Sequence, residues 1–415
     1  MTREIRYPEN ESQVIEAIKA SLEVRHKSPS RQDLGTWEVI GGGSKRGYGH
    51  AGAGQGVLCL SRLSGIELYQ PEELVMTARA GTPLQDIEQA LTERNQQLGF
   101  EPPTWQRVFA TNAAPTIGGV FACNLSGPRR FLAGAARDVL LGVRAISGRG
   151  EAFKSGGRVI KNVTGYDMGK LMCGSMGTLA VMTEVTFKTQ PRPQRTITLA
   201  ITGLTATGAC GVLTAAARGP WGMTGGMYVP AKTASRLDQA EGAPYGAQGD
   251  EAVVFVRLEG FYKSVAERGA LLAEAVIPSK ARTRILDDEA STALWAALRE
   301  LAPFCADPAR DLWRLRIAPT KASGVLDQLD AMGGVSLLDQ AGGLIWWEPP
   351  ASLGRTALPD LAGGQATLVR SVGDDIARFH PVPVAQQALQ QRIKQAFDPL
   401  GILGPGRMGV TAYGV

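Results

Sequence analysis

The chain has 415 residues, more than one core usually supports, which predicts two domains or one domain interrupted by an insert. With 44% hydrophobic and 20% charged residues and a net charge of +5, it has ample core material and no dense basic run of the kind a nucleic-acid binder needs. No apolar stretch reaches the roughly 18 to 20 residues of a membrane span, and "MTREIRYPENES" lacks the apolar centre of a signal peptide, so a cytoplasmic chain is expected.

In chain order, residues 10–24 place Val14, Ile15, Ile18 and Leu22 on one face of a helix. A short strand, "EVI", then runs straight into "GGGSKRGYG". "LVMTARAGT" (74–82) reads as a strand, and "TPLQDIEQALTERNQQL" as a helix with Thr82 as its cap, Pro83 in the first turn and Gln85 completing a capping box. Residues 113–130 are rich in glycine and small side chains. "MGTLAVMTEVTFKTQPRP" closes this part with a strand and a proline-rich boundary.

A different order follows. "RTITLAIT" alternates with period two, then come a helix (205–218), "GGMYV", "AVVFVRLEG", a helix (263–276), a weaker strand (281–286) and a helix (288–302). The order recurs as "LWRLRIAP", helix, "VSLLDQ", "GLIWWE", helix, "QATLVRSV". In the first of these strands Trp313, Leu315 and Ile317 face one side, Arg314 and Arg316 the other. Each set reads β-α-β-β-α-β, which predicts two ferredoxin-like units forming one mostly antiparallel sheet with helices on one face. The tail, "VAQQALQQRIKQAFDPLGILGPGRMG", is a helix closed by Pro399 and Gly401 and is expected to pack back onto the N-terminal part. The expected boundaries are 1–193, 194–378 and 379–415.

Glycines without Cβ atoms let backbone N–H groups form a concave nest for phosphate oxygens, so a strand ending in Gly41, Gly42, Gly43 and Ser44 is a candidate diphosphate cradle. A Walker A loop is excluded because Ser44 precedes Lys45 and no helix pattern follows. The literal G-x-G-x-x-G at Gly47, Gly49 and Gly52 leads into a strand instead of a helix, which excludes a Rossmann turn. Taken alone, the loop is also readable as a turn that binds nothing. A second segment, "PTIGGVFACNLSGPRR", offers Gly118 and Gly119 to pass under a flat ring, with small residues beside them. A third places Gly174, Ser175, Gly177 and Thr178 before an apolar strand.

Together, "GGGS", "TIGG-x-x-A-x-N-x-x-G" and "KN-x-x-GYD-x-x-x-L-x-x-GS-x-GTL" resemble the FAD-binding domain of the vanillyl-alcohol-oxidase (PCMH) type. "EPP", "ACNLSGPRR", "VLLGVRAISGRG", "LMCGSMGTLAVMTEV", "FVRLEG", "LWRLRIAP" and "GILGPGRM" resemble, more narrowly, the FAD-binding subunit of bacterial glycolate oxidase. The resemblance implies an α+β fold: two α/β subdomains clasping FAD, with an antiparallel α+β cap inserted before the C-terminal return. It also implies membership of a multi-subunit enzyme that oxidises glycolate to glyoxylate, with a sister FAD-containing catalytic subunit and an iron–sulfur subunit as partners. Any contact with the inner membrane would be made through those partners. The five dispersed cysteines, without C-x-x-C, agree with keeping the iron–sulfur cluster in another chain.

By position, the resemblance assigns Gly41, Gly42, Gly43, Ser44, Lys45, Arg46 and Gly47 to the diphosphate. It assigns Thr116, Ile117, Gly118, Gly119, Cys123, Asn124 and Ser126 to the flavin, and Gly174, Ser175, Gly177, Thr178 and Val181 to the rest of FAD. The chain departs from the family pattern at Ala180, commonly Gly, at Gly404, commonly Asn, and at Gln365, commonly His. Covalent attachment in the family uses a His in the first glycine loop; Gly43 and Ser44 stand there, so non-covalent FAD is expected, with His50 a few residues on. Cys123 and Cys173 read as small packing residues.

Oxidising a small 2-hydroxy acid also needs a cation for the carboxylate and a base for the hydroxyl proton. Lys161, Arg316, Arg370 and Arg407 are candidate cations, although a residue of this kind is more often a surface or ion-pair residue. His380 in "RFHPVP" is the base on offer, and no catalytic residue is assigned. Three readings remain open: a subunit whose FAD takes part in turnover, a mainly structural or assembly subunit, and a stand-alone FAD oxidoreductase for another 2-hydroxy acid such as D-lactate.

Overall fold

The computed structural model describes residues 3–28, 31, 34–52, 54–158, 165–241, 251–353, 357–371, 373 and 376–409. The N-terminal part begins with β1 (Glu4–Arg6), α1 (Glu11–Lys27), β2 (Trp37–Ile40) and β3 (Gly56–Cys59), the strands forming a parallel sheet in the order β1-β3-β2. After it come β4 (Ile66–Gln70), β5 (Val75–Arg79), α2 (Leu84–Thr92), β6 (Gln96–Gln97), α3 (Ile117–Cys123), α4 (Arg130–Ala133) and α5 (Ala136–Val139). Then follow β7 (Leu140–Ser147), β8 (Ala152–Gly156), α6 (Met168–Met172), β9 (Ala180–Lys188) and β10 (Gln190–Pro191). The antiparallel sheet here has the order β4-β5-β9-β7-β8, and β6 pairs with β10. One apolar core joins both sheets, from Ile18 and Leu58 to Phe121, Val185 and Leu403.

The second part holds β11 (Arg195–Thr202), α7 (Ala206–Arg218), β12 (Met223–Val229), α8 (Ala231–Glu241), β13 (Val253–Gly260), α9 (Tyr262–Val276), β14 (Arg282–Leu286) and α10 (Asp288–Arg299). It continues with β15 (Leu312–Arg316), α11 (Ala322–Met332), β16 (Val335–Asp339), β17 (Leu344–Glu348) and β18 (Gln365–Arg370). All eight strands pair antiparallel in the order β14-β11-β13-β12-β16-β17-β15-β18. The closing helix is α12 (Val384–Phe397). Buried Lys394 donates to the carbonyls of Thr178 (2.6 Å) and Leu403 (2.8 Å) and to Asp398 (2.6 Å). The tail then lies along β2, where Trp37 N donates to Ile402 O and Gly404 N to Trp37 O.

Several expectations need correction. Thr82 does not cap α2; its hydroxyl donates to Gly65 O and Arg79 O, and Pro83 occupies the cap position. The helix ends at Thr92, because the chain turns at Asn95 (φ 54°) into the β6 ladder. "RTITLAIT" is buried across its interior residues instead of alternating, since both faces of the eight-stranded sheet are covered. On one face Ile197, Leu199 and Ile201 share a core with Val212, Leu272 and Leu326 of α7, α9 and α11. On the other, α8 and α10 pack together with Tyr48, Trp105, Leu125 and Met176 of the N-terminal part, so helices flank both faces. The helix expected between β17 and β18 does not form among the described residues there, where Pro349, Pro350 and Pro359 interrupt the chain.

Candidate functional site

The cleft at the end of β2 is built first by packing inside the protein. A Cβ on Gly41 would stand 2.0 Å from Thr116 Oγ1, and one on Gly42 would stand 1.9 Å from Ala114 O. Gly43 sits at φ +90°, a backbone state L side chains rarely adopt. Two of the three glycines are therefore required by the segment that leads into α3. The result is still a nest: the backbone N–H groups of Gly42, Gly43, Ser44 and Lys45 take no hydrogen-bond partner among the described residues.

That cleft is lined by Gly41 to Arg46, Thr116, Gly118, Gly119, Cys123, Gly177 and Arg407. Arg407 holds the loop in shape, Nη2 donating to the carbonyls of Lys45 (3.0 Å), Arg46 (3.2 Å) and Tyr48 (2.9 Å), while buried Nη1 has no hydrogen bond. Lys45 Nζ donates to Thr104 O (3.2 Å) and Ser44 Oγ (3.3 Å). Burial pushes the ammonium of Lys45 and the guanidinium of Arg407 below their ordinary pKa, so each gains from a nearby anion. Arg46 instead pairs with Glu38 at the rim (2.5 Å). Open N–H groups beside two buried cations form a site suited to a diphosphate.

α3 forms because Thr116 caps it, its Oγ1 accepting from Gly119 N at 3.3 Å, and because Phe121 buries its ring between Phe100 and Phe187. Burying such a ring stabilises by roughly 1.5–3 kcal/mol, which anchors so short a helix. Gly118 is forced by Ala80, whose Cβ lies 2.6 Å from where its own would be, whereas Gly119 meets only Thr116 Oγ1 at 3.3 Å and otherwise faces open space.

The remaining expected residues divide. Ile117 and Val181 are in the hydrophobic core and do not line the cleft, because their helix and strand turn those positions inward. Gly47 packs on Phe109. Asn124 and Ser126 hold α5, Asn124 Oδ1 accepting from Arg137 N (3.1 Å) and Ser126 Oγ from Ala136 N (3.0 Å). Gly174, Ser175 and Thr178 line a second cavity of about 760 Å³ together with His50, Gln365 and His380.

Of the candidate cations, Arg370 is structural: it donates to the carbonyls of Arg310 (2.8 Å), Phe304 (2.8 Å) and Val108 (3.2 Å). Lys161 lies outside the described residues. Arg316 is directly paired across the sheet with Gln365 and remains solvent-exposed. His380 Nδ1 accepts from Ala366 N (3.3 Å), which places the proton of the neutral ring on Nε2 and makes that nitrogen a donor, not a base. Burial pushes the thiol of Cys123 up, against the pull of Lys45 and Arg407, and that of Cys173 up to about 12. Both thiols are therefore protonated at neutral pH, in keeping with packing roles.

Sequence reasoning missed α3 itself, whose glycines hide helix propensity, and it missed Met176 and Met182 on the cleft wall. It also missed Glu300 of α10, whose carboxylate accepts from Thr104 N (3.0 Å), Trp105 N (2.9 Å) and Thr104 Oγ1 (2.7 Å), clamping the segment that receives Lys45. No local signal marks a carboxylate whose partners are 195 residues away.

Comparison with known proteins adds the following. An FAD binding domain family matches residues 3–156. Glycolate oxidase subunit GlcE of Escherichia coli is 34% identical over 372 residues, covering 89% of this chain and 91% of GlcE. A D-lactate dehydrogenase of Archaeoglobus fulgidus is 26% identical over 388 residues, covering 89% of this chain and 84% of that protein. Among solved structures, p-cresol methylhydroxylase with substrate bound superposes with a TM-score of 0.69 at 15% identity, over 99% of this chain and 89% of that one, a likeness of fold.

Proposed function

This chain belongs to the family of the glycolate oxidase subunit GlcE and is an FAD-binding oxidoreductase, and from that premise we propose that it is the FAD-binding subunit of a multi-subunit complex oxidising glycolate to glyoxylate. In this reading electrons pass to an iron–sulfur partner, beside a sister flavoprotein subunit that carries a second FAD. Among the described residues no helix is long and apolar enough to cross a membrane, so any membrane contact of the complex is assigned to the partners.

The observation that carries the reading is the nest of four unpartnered N–H groups beside Lys45 and Arg407. These groups would hold the FAD diphosphate without covalent attachment. Gly119 would leave room for the flavin portion, and Gly177 and Cys123 would line its edge. Bound FAD supplies the hydride acceptor for an alcohol carbon. The chain's own residues exclude water and fix position: Arg407 keeps the loop carbonyls turned away from the anion, and Glu300 holds Thr104 under Lys45.

The division at 193 and 378 follows the sheets: the parallel and five-stranded sheets on one side, the eight-stranded sheet on the other. Within the latter, β14-β11-β13-β12 and β16-β17-β15-β18 each give the 4-1-3-2 strand order of a ferredoxin-like unit, joined through β12 and β16. The second unit lacks its second helix among the described residues.

The test is the visible spectrum of the purified chain and of Gly119→Leu, each then mixed with glycolate without oxygen. A flavin spectrum in the wild type, absent from a folded Gly119→Leu, supports the cleft as the flavin site. Bleaching by glycolate places turnover on this flavin. A wild type that retains no FAD after removal of the unbound cofactor, either alone or beyond the one FAD of the sister subunit in the assembled complex, sinks the proposal.

A further inference from the structure

Arg314 and Arg316 project from β15 on the face opposite Trp313, Leu315 and Ile317, whose side chains join the α7/α11 core. Their face is the one turned to the N-terminal part, where Trp346, paired with Arg314 across the sheet, joins the core containing Tyr48, Trp105 and Met176. Arg130, from α4 of the N-terminal part, lies within electrostatic reach of both: the Arg314 charge helps lower the pKa of Arg130, and the Arg314 and Arg130 charges help lower that of Arg316. Among the described residues none of the three guanidiniums takes a hydrogen bond or an ion pair. Arg314 is only 8% exposed, its Nε has no partner, and its contact is with the Trp346 ring, 5.9 Å from the ring centre.

Such an arrangement is costly by itself. A buried guanidinium carries five donors and requires acceptors, and two more like charges nearby raise the cost. The carboxylates within electrostatic reach are already engaged: Asp138 Oδ2 accepts from Ala135 N and Asp339 Oδ1 from Gln340 N. Partial loss of hydration where neighbouring protein covers its guanidinium, then the charges of Arg314 and Arg130, bring Arg316 down to about 10. Arg316 is solvent-exposed and Arg314 is not, so the cluster leads from solvent into the interior. Gln365, paired with Arg316 on the neighbouring strand, adds an amide that can donate to the same ligand.

We propose that Arg130, Arg314 and Arg316 form a binding site for a small carboxylate anion between α4 and the inward face of the eight-stranded sheet. The need for an anion stands on the unpartnered guanidiniums; the choice of a carboxylate rests on the functional reading above. Planar guanidiniums match a carboxylate with paired hydrogen bonds, and three of them can meet both oxygens and a neighbouring hydroxyl. Arg314 would supply the buried contact and Arg316 the one at the opening.

Oxalate, which cannot be oxidised as an alcohol, is the probe. Calorimetric titration and thermal unfolding are followed on the full chain with FAD in excess, so that the diphosphate nest is not the site being read. Oxalate is expected to bind and raise the Tm of the wild type. Arg314→Met is expected to weaken oxalate binding by on the order of tenfold or more. Its Tm without oxalate should be equal to or above wild type, because a guanidinium without acceptors has been removed; a residue needed only for structure would lower it. Arg316→Met, at an exposed position, keeps the fold and should also weaken binding. Absence of any oxalate response in the wild type overturns the proposal, as does unchanged oxalate affinity in Arg316→Met. Sulfate binding as tightly as oxalate overturns the carboxylate assignment. None of these readouts needs turnover, so they fail or succeed independently of the glycolate-bleaching test.

Discussion

Two arginine clusters sit where the N-terminal part meets the eight-stranded sheet, and among the described residues only one has its counter-charges. In the first, Arg257 of β13 donates to both oxygens of Glu101 (2.8 and 2.9 Å), Arg129 bonds Glu259 (2.7 Å), and the Arg257 guanidinium lies 4.4 Å over the Trp295 ring. Each part contributes one acid and one base, so closing the interface neutralises the set. In the second, Arg130, Arg314 and Arg316 lie within electrostatic reach of one another, and none has an ion pair among the described residues. The same side chain thus serves as a clamp where carboxylates are supplied and as a receptor where they are withheld. Asp339 lies within electrostatic reach of Arg257 and of Arg130 but is ion-paired with neither.

The contrast can be broken most forcefully at Glu101. Burial alone would raise its pKa, but Arg257 and Arg129 outweigh that and hold it at about 2. A carboxyl depressed in the folded state contributes stability above its unfolded pKa and loses it as pH falls toward the folded one. Glu101→Ala should therefore cost roughly 3–5 kcal/mol at pH 7 by urea unfolding, since it strands a buried guanidinium. The deficit should shrink between about pH 4.5 and pH 2. A loss below about 1 kcal/mol would mean that the clamp is not what joins the two parts.

Asp339 tests the ground between the clusters. Burial raises its carboxyl to about 6, so the folded state takes up its proton more readily than the unfolded chain. Stability from this group is present at low pH and is lost as pH rises from about 4 through 6. Asp339→Asn keeps the Gln340 N–H bonded and should be more stable than wild type above pH 6, by up to about 3 kcal/mol, and indistinguishable near pH 4. Thermal unfolding across that range reads the crossover, and a uniform effect at all pH values would refute it. The smallest expected effect is at Arg316→Met, which should change stability by less than about 0.5 kcal/mol while weakening oxalate binding. A larger stability loss there would place the second cluster with the first, as structure.

The N-terminal glycine segments were the most readable part of the sequence. They announce themselves because the close approaches they permit are local or nearly so: Gly43 must take a positive φ wherever the loop is placed. Gly41 and Gly42 read as part of a diphosphate cradle, whereas what their missing Cβ atoms make room for is protein, Thr116 Oγ1 and Ala114 O, from a segment more than seventy residues on. α3 was hidden because its two glycines lower helix propensity, and only the Phe100–Phe121–Phe187 packing and the Thr116 cap recover it.

By itself the sequence determined the strand and helix order of most of the chain, the existence of a glycine loop at the end of β2, and the facing of Trp313, Leu315 and Ile317 away from Arg314 and Arg316. These depend on period and on backbone freedom, which neighbours in sequence supply. Tertiary structure alone decided which charges are paired. Glu101 and Arg257 are 156 residues apart, Thr104 and Glu300 196, and Arg370 reaches carbonyls of three separate segments. An isolated arginine in a sequence reads the same whether a carboxylate will meet it or not. Burial and the closing of one sheet over another make the difference, because only in a desolvated interface does an unpaired charge become a demand for a ligand.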